Sequence, residues 1–505
     1  MNFTEEDSIK LIFGLKIKQL RQTKNLSQQE LADAVGMAVS YINEIEKGKK
    51  FPKPDKINGL AKELGTNYEN LVSLKVNKAL APAIEIINSP IFKEFPLDMF
   101  GIDASKLLSM IAEAPIKVNA FINTLAEIAR NYNLKQENFY FAALRSYQEM
   151  HNNYFEDIEK QVEDFINEFN IDFTPRFDTD QLVTILKEKY NYTLDYSEIT
   201  ENPKLNGFRS ILVPGDENRF YINNNLRPTQ RIFILAKEIG FNYMKIKERS
   251  YTSSWVKVTT FEQVLNNFKA SYFANALLIN KRLFLTDLEE YFGKDKWDGE
   301  GLVDLMLKYY VSPETFLHRL TNLLPEYFGL NSLFFLRFND GETPNKYYLT
   351  KELHLSGKHN PHANQVNEHY CRRWISITML QQVKALSQTG NYKRPKAGIQ
   401  RSQYVDSKNE YLCITLARPL NRKPHLSSSV TIGFLINTEF KKRVKFWNDE
   451  SIPIKLVNES CERCSLTDCE VRAAQPVFYK KQQETNTLEA ELNEFIERIK
   501  QLQMI

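Results

Sequence analysis

Three cysteines stand within nine residues near the end of this 505-residue chain, in Cys461-Glu-Arg-Cys464-Ser-Leu-Thr-Asp-Cys469, out of five in all. A C-x2-C-x4-C cluster in a large chain with so few thiols points to a metal or iron–sulfur centre rather than a disulfide framework. Three local thiolates need a fourth donor to close a tetrahedral zinc site or a four-iron cluster. Cys371, in Cys371-Arg372-Arg373-Trp374, is the candidate because it falls in the same expected domain. Ligand softness selects a thiolate-binding metal but does not separate zinc from iron. Cys413 lies in an alternating apolar run and is expected in a core. His354, His359, His362 and His369 are spaced by 5, 3 and 7, which fits no standard zinc motif. Loop or surface roles are expected for them, with His369 a candidate donor to the cysteine ligands.

The elements that must position these thiols read as strands from about residue 325. Leu333–Phe338, Tyr411–Leu416 and Val430–Ile436 are β-branched and aromatic runs bounded by polar turns, with a helical stretch at Arg373–Val383 between the first two. A mixed α/β domain over 325–480 is expected. The tail, 481–505, carries Leu488, Leu492, Phe495, Ile499 and Leu502 at 4-3-4-3 spacing, a seam of about two heptads. That is too short to hold a coiled coil alone, so it packs on its own domain or joins a dimer.

At the other end, residues 15–56 hold nine Lys/Arg against five Asp/Glu, a local +4 in a chain of net charge +3, which leaves the remainder near −1. A basic patch of this kind suits phosphate contact. Phe13, Ile17 and Leu20 predict an amphipathic helix. Ser27 and Glu30 form a capping box at the start of a second helix, with Leu26 and Leu31 as its staple, and Gly36 ends it. A third helix runs over 38–46, Gly48 closes it, and Pro54 opens a fourth. Helix, short glycine turn and helix is a DNA-reading arrangement. The run from Leu26 to Gly65 resembles the Xre/Cro-like repressors. By that resemblance Gln28 contacts the DNA backbone, Val39, Ser40, Asn43 and Glu44 face the major groove, and Lys47, Lys49 and Lys50 meet phosphates. A carboxylate there can accept from cytosine N4, and a valine can meet a thymine methyl. Ala38 departs from the usual Ser/Thr cap. Such regulators bind double-stranded operators as homodimers or higher homo-oligomers.

The middle carries a peptidase pattern without its chemistry. Residues 76–175 read as a helical linker, with His151 a helix residue rather than a ligand. Within an expected domain at 176–324, Arg227–Phe241 resembles the HExxH helix of ImmA/IrrE-type proteins. Zinc there needs two histidines at i and i+4, and a Glu to activate water. Here those positions are Lys237 and Phe241, and only Glu238 and Gly240 persist. Neither candidate position for the later acidic ligand, Asn267 or Lys269, is acidic. The resemblance implies a degenerate zincin-like α+β scaffold, not an enzyme.

C-R-R-W together with C-x2-C-x4-C-x2-R resembles the C-terminal domain of short-chain acyl-CoA-responsive regulators, which join an Xre-type helix-turn-helix, an ImmA/IrrE-like domain and this cysteine-bearing domain in the same order. The resemblance implies a [4Fe–4S] cluster on Cys371, Cys461, Cys464 and Cys469, with zinc as the alternative, and acyl-CoA as effector. Arg372, Arg373, Arg418, Arg422 and Lys423 are available for its phosphates, and Phe334, Phe335 and Trp374 for its acyl tail. The expected chain is therefore multidomain: an all-α DNA-binding domain (1–75), the helical linker, the pseudo-peptidase domain, the sensor domain and a terminal helix. It is expected in the cytoplasm, having no run of 18 apolar residues and no apolar leader near Met1. Two rival functions remain open: a repressor-cleaving metallopeptidase, and a phage- or toxin–antitoxin-type regulator that binds a protein through its middle.

Overall fold

The computed structural model describes residues 5–73, 136–171, 177–252, 260–355, 368–405, 407–421 and 423–503. Most of the expected linker, His359, His362 and Arg422 lie outside the described residues. The chain forms two compact units, Met1–Tyr147 with Val258–Val264, and Gln148–Lys257 with Leu265–Ile505. The expected sensor domain and, apart from 258–264, the expected pseudo-peptidase domain lie in the second unit.

In the first unit, α1 (Glu5–Thr23), α2 (Gln28–Val35), α3 (Val39–Glu46), α4 (Pro54–Glu63) and α5 (Tyr68–Val72) enclose a core that includes Phe13, Ile17, Leu31, Ile42, Ile45, Ile57 and Leu60. The local signals act as chemistry requires. Ser27 accepts from the Glu30 amide, the Glu30 carboxylate accepts from the Ser27 amide, and Gly36 takes φ +63°. Helix α1 meets α3 closely at Gly14, where a Cβ would collide with the Ile45 carbonyl. Helix α6 (Gln136–Met150) follows further along the chain.

The second unit holds α7 (Glu156–Glu168), α8 (Thr179–Tyr190), β1 (Tyr192–Asp195), α9 (Glu198–Glu201), β2 (Ser210–Val213), β3 (Asn218–Ile222) and α10 (Pro228–Tyr243). The small sheet has order β1-β3-β2, with β1 parallel and β2 antiparallel to β3. Helices α11 (Phe261–Leu278), α12 (Lys281–Phe292), α13 (Gly299–Lys308) and α14 (Pro313–Phe328) lead into the larger sheet. Arg319 on α14 is fully buried and forms a fork with Glu159 of α7 at 2.5 and 3.0 Å, while Tyr272 donates to the same carboxylate at 2.8 Å. Removing one member of such a pair strands the other charge, at about 3–5 kcal/mol.

The larger sheet comprises β4 (Leu333–Asp340), β5 (Tyr347–His354), β6 (Lys396–Tyr404), β7 (Glu410–Pro419), β8 (Ser427–Leu435) and β9 (Ile454–Val457) in the order β5-β4-β8-β7-β6-β9. Only the β6–β9 pair among these is parallel. Helix α15 (Ile375–Gln388) covers the face that carries Phe334, Leu336, Phe338, Tyr411, Cys413 and Ala417. Side chains alternate along a strand, so Phe335, Arg337 and Arg418 belong to the opposite face, towards α14. Two contacts place them there: His318 stacks on Phe335 at 4.0 Å and Glu314 pairs with Arg337 at 3.5 Å. Helices α16 (Thr438–Arg443) and α17 (Val477–Gln503) complete the described elements, and α17 starts four residues before the expected tail.

Candidate functional site

On α3, Ser40 is exposed, Asn43 and Glu44 are half-buried, and Lys47, Lys49 and Lys50 are exposed just beyond the helix end. Ser40, Asn43 and Glu44 share one helix face by their i, i+3, i+4 spacing. Two expected contacts are placed differently. Val39 packs against the core, and Gln28 gives its amide to Glu46 at 2.7 Å. Glu46 is buried because Arg21 forks onto it at 2.6 and 3.0 Å, and half-buried Gln28 joins that internal network. Ala38 occupies the N-cap with extended backbone and no side-chain bond, leaving the first amides of α3 uncapped from within.

On α10, Glu238 is buried and both oxygens of its carboxylate are already engaged. Arg249 donates to Oε1 at 2.8 Å and to Oε2 at 2.5 Å, and the Tyr192 hydroxyl donates to Oε1 at 2.6 Å. The guanidinium lies over the Phe241 ring, 3.7 Å from its centroid. Lys237 donates to Asn267, and burial, then Arg249 and Lys351, bring its ammonium down to about 7. A cation and a ring stand where the histidine pattern would place ligands, and the carboxylate already accepts three hydrogen bonds. This arrangement cannot activate a nucleophile as HExxH chemistry requires. Arg249 was not singled out in the sequence; its only signal is that a buried carboxylate needs a counter-charge.

The cysteines come from two segments held side by side. Tyr370 and Ser460 form an antiparallel bridge, Cys371 N donates to Glu459 O at 3.3 Å, and Cys461 N donates to His369 O at 2.9 Å. Cys371, Cys461 and Cys464 are buried, Cys469 is half-buried, and all five cysteines are thiols. Burial pushes Cys371 up to about 11; backbone hydrogen bonds from Asn458 and Arg373 pull the other way, and the neighbouring Cys461 and Cys464 add to the rise. Arg472 gathers the loop by donating to the carbonyls of Cys461 at 2.7 Å, Cys464 at 3.3 Å and Leu466. His369 turns to Glu462, Nδ1 to Oε1 at 2.8 Å, and not to a thiol. The Glu462 carbonyl in turn accepts from the amides of Phe478 and Tyr479 at the base of α17. Among the described residues no three His, Cys, Asp or Glu side chains already stand as a metal-holding set. Cys413 sits in the core beneath α15, where burial pushes it up to about 12.

The residues expected to line one acyl-CoA site are split. Trp374 packs with Tyr370 and Phe338 on the α15 face, and Arg372 lies over Tyr347 and donates to the Asn345 carbonyl at 2.7 Å. Arg373 is half-buried beside them. Arg418 lies on the opposite face of the sheet, and Phe334 and Phe335 also face apart. Neighbours on a strand cannot line one pocket.

The helix-turn-helix family model matches residues 17–71, and that of the IrrE N-terminal-like domain matches residues 201–321. The control protein C.BamHI of Bacillus amyloliquefaciens is 36% identical over 67 residues, which are 13% of this chain and 83% of that protein. The chain belongs to the helix-turn-helix family of transcriptional regulators. The cryptic phage CTXphi transcriptional repressor RstR of Vibrio cholerae is 32% identical over 81 residues, 15% of this regulator and 73% of the repressor. A propionyl-CoA carboxylase regulator of Cereibacter sphaeroides is 24% identical over 114 residues, 23% of each chain. A solved Mycobacterium tuberculosis transcriptional regulator is 17% identical with a TM-score of 0.46, over 66% of this regulator and 93% of that chain, a likeness too slight to argue from. The helix-turn-helix match takes in α2 and α3, and the IrrE-like match spans Glu238. Among the described residues no helix is long and apolar enough to cross a membrane.

Proposed function

We propose that this regulator binds operator DNA through α3 as a homodimer, answers to a short-chain acyl-CoA, and holds an inorganic centre, [4Fe–4S] with zinc as the alternative, on Cys371, Cys461, Cys464 and Cys469. The observation that supports the centre is the Tyr370–Ser460 bridge, which brings the segment of Cys371 alongside that of Cys461, with Cys464 near them. The donor set fits a thiolate-loving ion in kind and number. The thiols would close in around it, since they do not already form a finished cage. The effector reading is supported by the motif resemblance and by the partial likeness to a regulator named for propionyl-CoA carboxylase. Ser40, Asn43 and Glu44 would meet base edges, with the three lysines on phosphates. The exposed seam of α17 is available to a second copy.

Anaerobic purification with an absorbance spectrum and assays of iron, sulfide and zinc tests the centre. Brown protein with iron and sulfide supports the cluster, colourless protein with one zinc selects the alternative, and metal-free protein removes both. Gel shifts with propionyl-CoA and acetyl-CoA test the effector, which requires a change in DNA affinity because a ligand shifts an equilibrium only by its differential affinity for the two states.

A further inference from the structure

Between the IrrE-like elements and the larger sheet lies a cavity of about 260 Å³. Its charged lining is one-sided: Arg209, Arg227, Arg337, Arg418 and Lys423 against a single acid, Glu314. Glu314 is already engaged by Lys351 and by Arg337 at 3.5 Å. Lys423 pairs with Glu342, and Arg227 donates to Asn421 Oδ1 at 3.2 Å and the Pro419 carbonyl at 3.0 Å. The Arg418 side chain has neither a hydrogen bond nor an ion pair within bonding distance among the described residues. Burial, then the charges of Arg227 and Arg337, bring its guanidinium down to about 10, with Glu314 and Tyr392 offsetting only part of the fall.

A half-buried guanidinium left unpaired among other cations is costly to the ligand-free fold. Its planar fork suits a phosphoryl group. Two 16-residue helices also begin at the cavity wall, α10 at Arg227 and α14 at Pro313, and their positive ends favour an anion there. Small-ligand pockets run to about 300–1,000 Å³, so this one holds a diphosphate-sized group rather than a whole nucleotide cofactor.

We infer that this cavity binds a phosphate-bearing small ligand, with Arg418, Arg337 and Arg227 as its phosphate fork. The site stands on its own geometry and does not depend on the acyl-CoA reading. Its occupant is either a free small phosphate compound or the phosphate end of a larger ligand that projects from the cavity mouth. Because IrrE-like elements and sheet strands both line the cavity, an occupant would bind them together across the joint.

The test is calorimetric titration of the full-length protein with inorganic pyrophosphate, coenzyme A and citrate, using wild type, Arg418→Gln and Arg418→Lys. At least one phosphate probe is expected to bind wild type, to raise its Tm, and to lose about tenfold or more in affinity in Arg418→Gln, the loss of one charged hydrogen-bond pair. Arg418→Lys should fall between. Ligand-free Arg418→Gln should melt no lower than wild type, because a repelled charge is removed, and this separates a ligand role from a structural one. Pyrophosphate binding alone indicates a small free ligand; binding of both phosphate probes indicates the end of a larger one. Binding of neither, binding of citrate alone, or undiminished affinity in Arg418→Gln overturns the inference. Pyrophosphate binding through Arg418 with no response of DNA affinity to propionyl-CoA would sink the effector reading and leave this site standing.

Discussion

The helix at Lys237–Phe241 and the loop at Cys461–Cys469 both carry metal-binding spacing in outline, yet they have been resolved in opposite ways. At the first, the carboxylate is closed off by Arg249 and Tyr192, a lysine and a ring stand at the histidine positions, and the packing is complete. At the second, thiols from two segments are gathered with the charge of Arg372 near Cys371 and Cys461. Both regions bury groups that resist ionisation, Lys237 brought down to about 7 and Cys371 pushed up to about 11. At Glu238 the neutralising guanidinium bonds both carboxylate oxygens directly. A vacated metal position need not leave a hole: one guanidinium can meet the charge requirement and remove the chemistry together.

The largest test of this contrast is at the thiols. Cys371→Ser or Cys464→Ser should abolish bound iron or zinc, measured as metal per chain, whereas Cys413→Ala should leave it intact. Equal metal content in all three would erase the distinction. Next comes the guanidinium. Arg249→Leu strands the buried Glu238 charge and should cost about 3–5 kcal/mol in denaturant unfolding, with Glu238→Gln in the same chain recovering most of it. If the double variant is no better than the single, the ion pair is not what holds this region.

A smaller effect tests the lysine. Its folded pKa lies below the ordinary 10.5, so between pH 7 and 10.5 the unfolded chain binds the extra proton. Stability from this group should therefore rise with pH across that window and flatten above it. Lys237→Met should remove the rise in Tm between pH 7 and pH 10; an unchanged profile would mean that Lys237 is charged in the fold. Smallest is Ala38→Ser, outside both regions, which should add about 1 kcal/mol by capping α3. Thermal denaturation reads it, and no gain would mean that the added hydroxyl does not reach the α3 amides.

Local signals in the sequence were the most legible. Ser27, Glu30, Gly36 and Pro54 act through neighbours a few residues away, and α2, its turn and α4 form as those residues predict. Strands β4, β7 and β8 were visible in their apolar runs, although each is longer than expected and β8 stops one residue short of its expected end. The candidate site was legible only in its residue types. That Gln28 turns inward depends on Arg21 and Glu46, and that Arg418 parts from Trp374 depends on which sheet face each occupies. The cavity was missed because Arg209, Arg337 and Arg418 come from three separate strands or loops, and nothing in their spacing announces that they meet.

Helix α17 has 27 residues, and Leu488, Leu492 and Phe495 stand exposed along it. At 1.5 Å per residue it is an arm about 40 Å long, so a tilt of about 10° at its foot would carry the tip about 7 Å. The foot is tethered to the Glu462 carbonyl, and the side chain of that same residue grips His369 next to Cys371. The thiol loop and the foot of this long arm are therefore tied through one residue, Glu462.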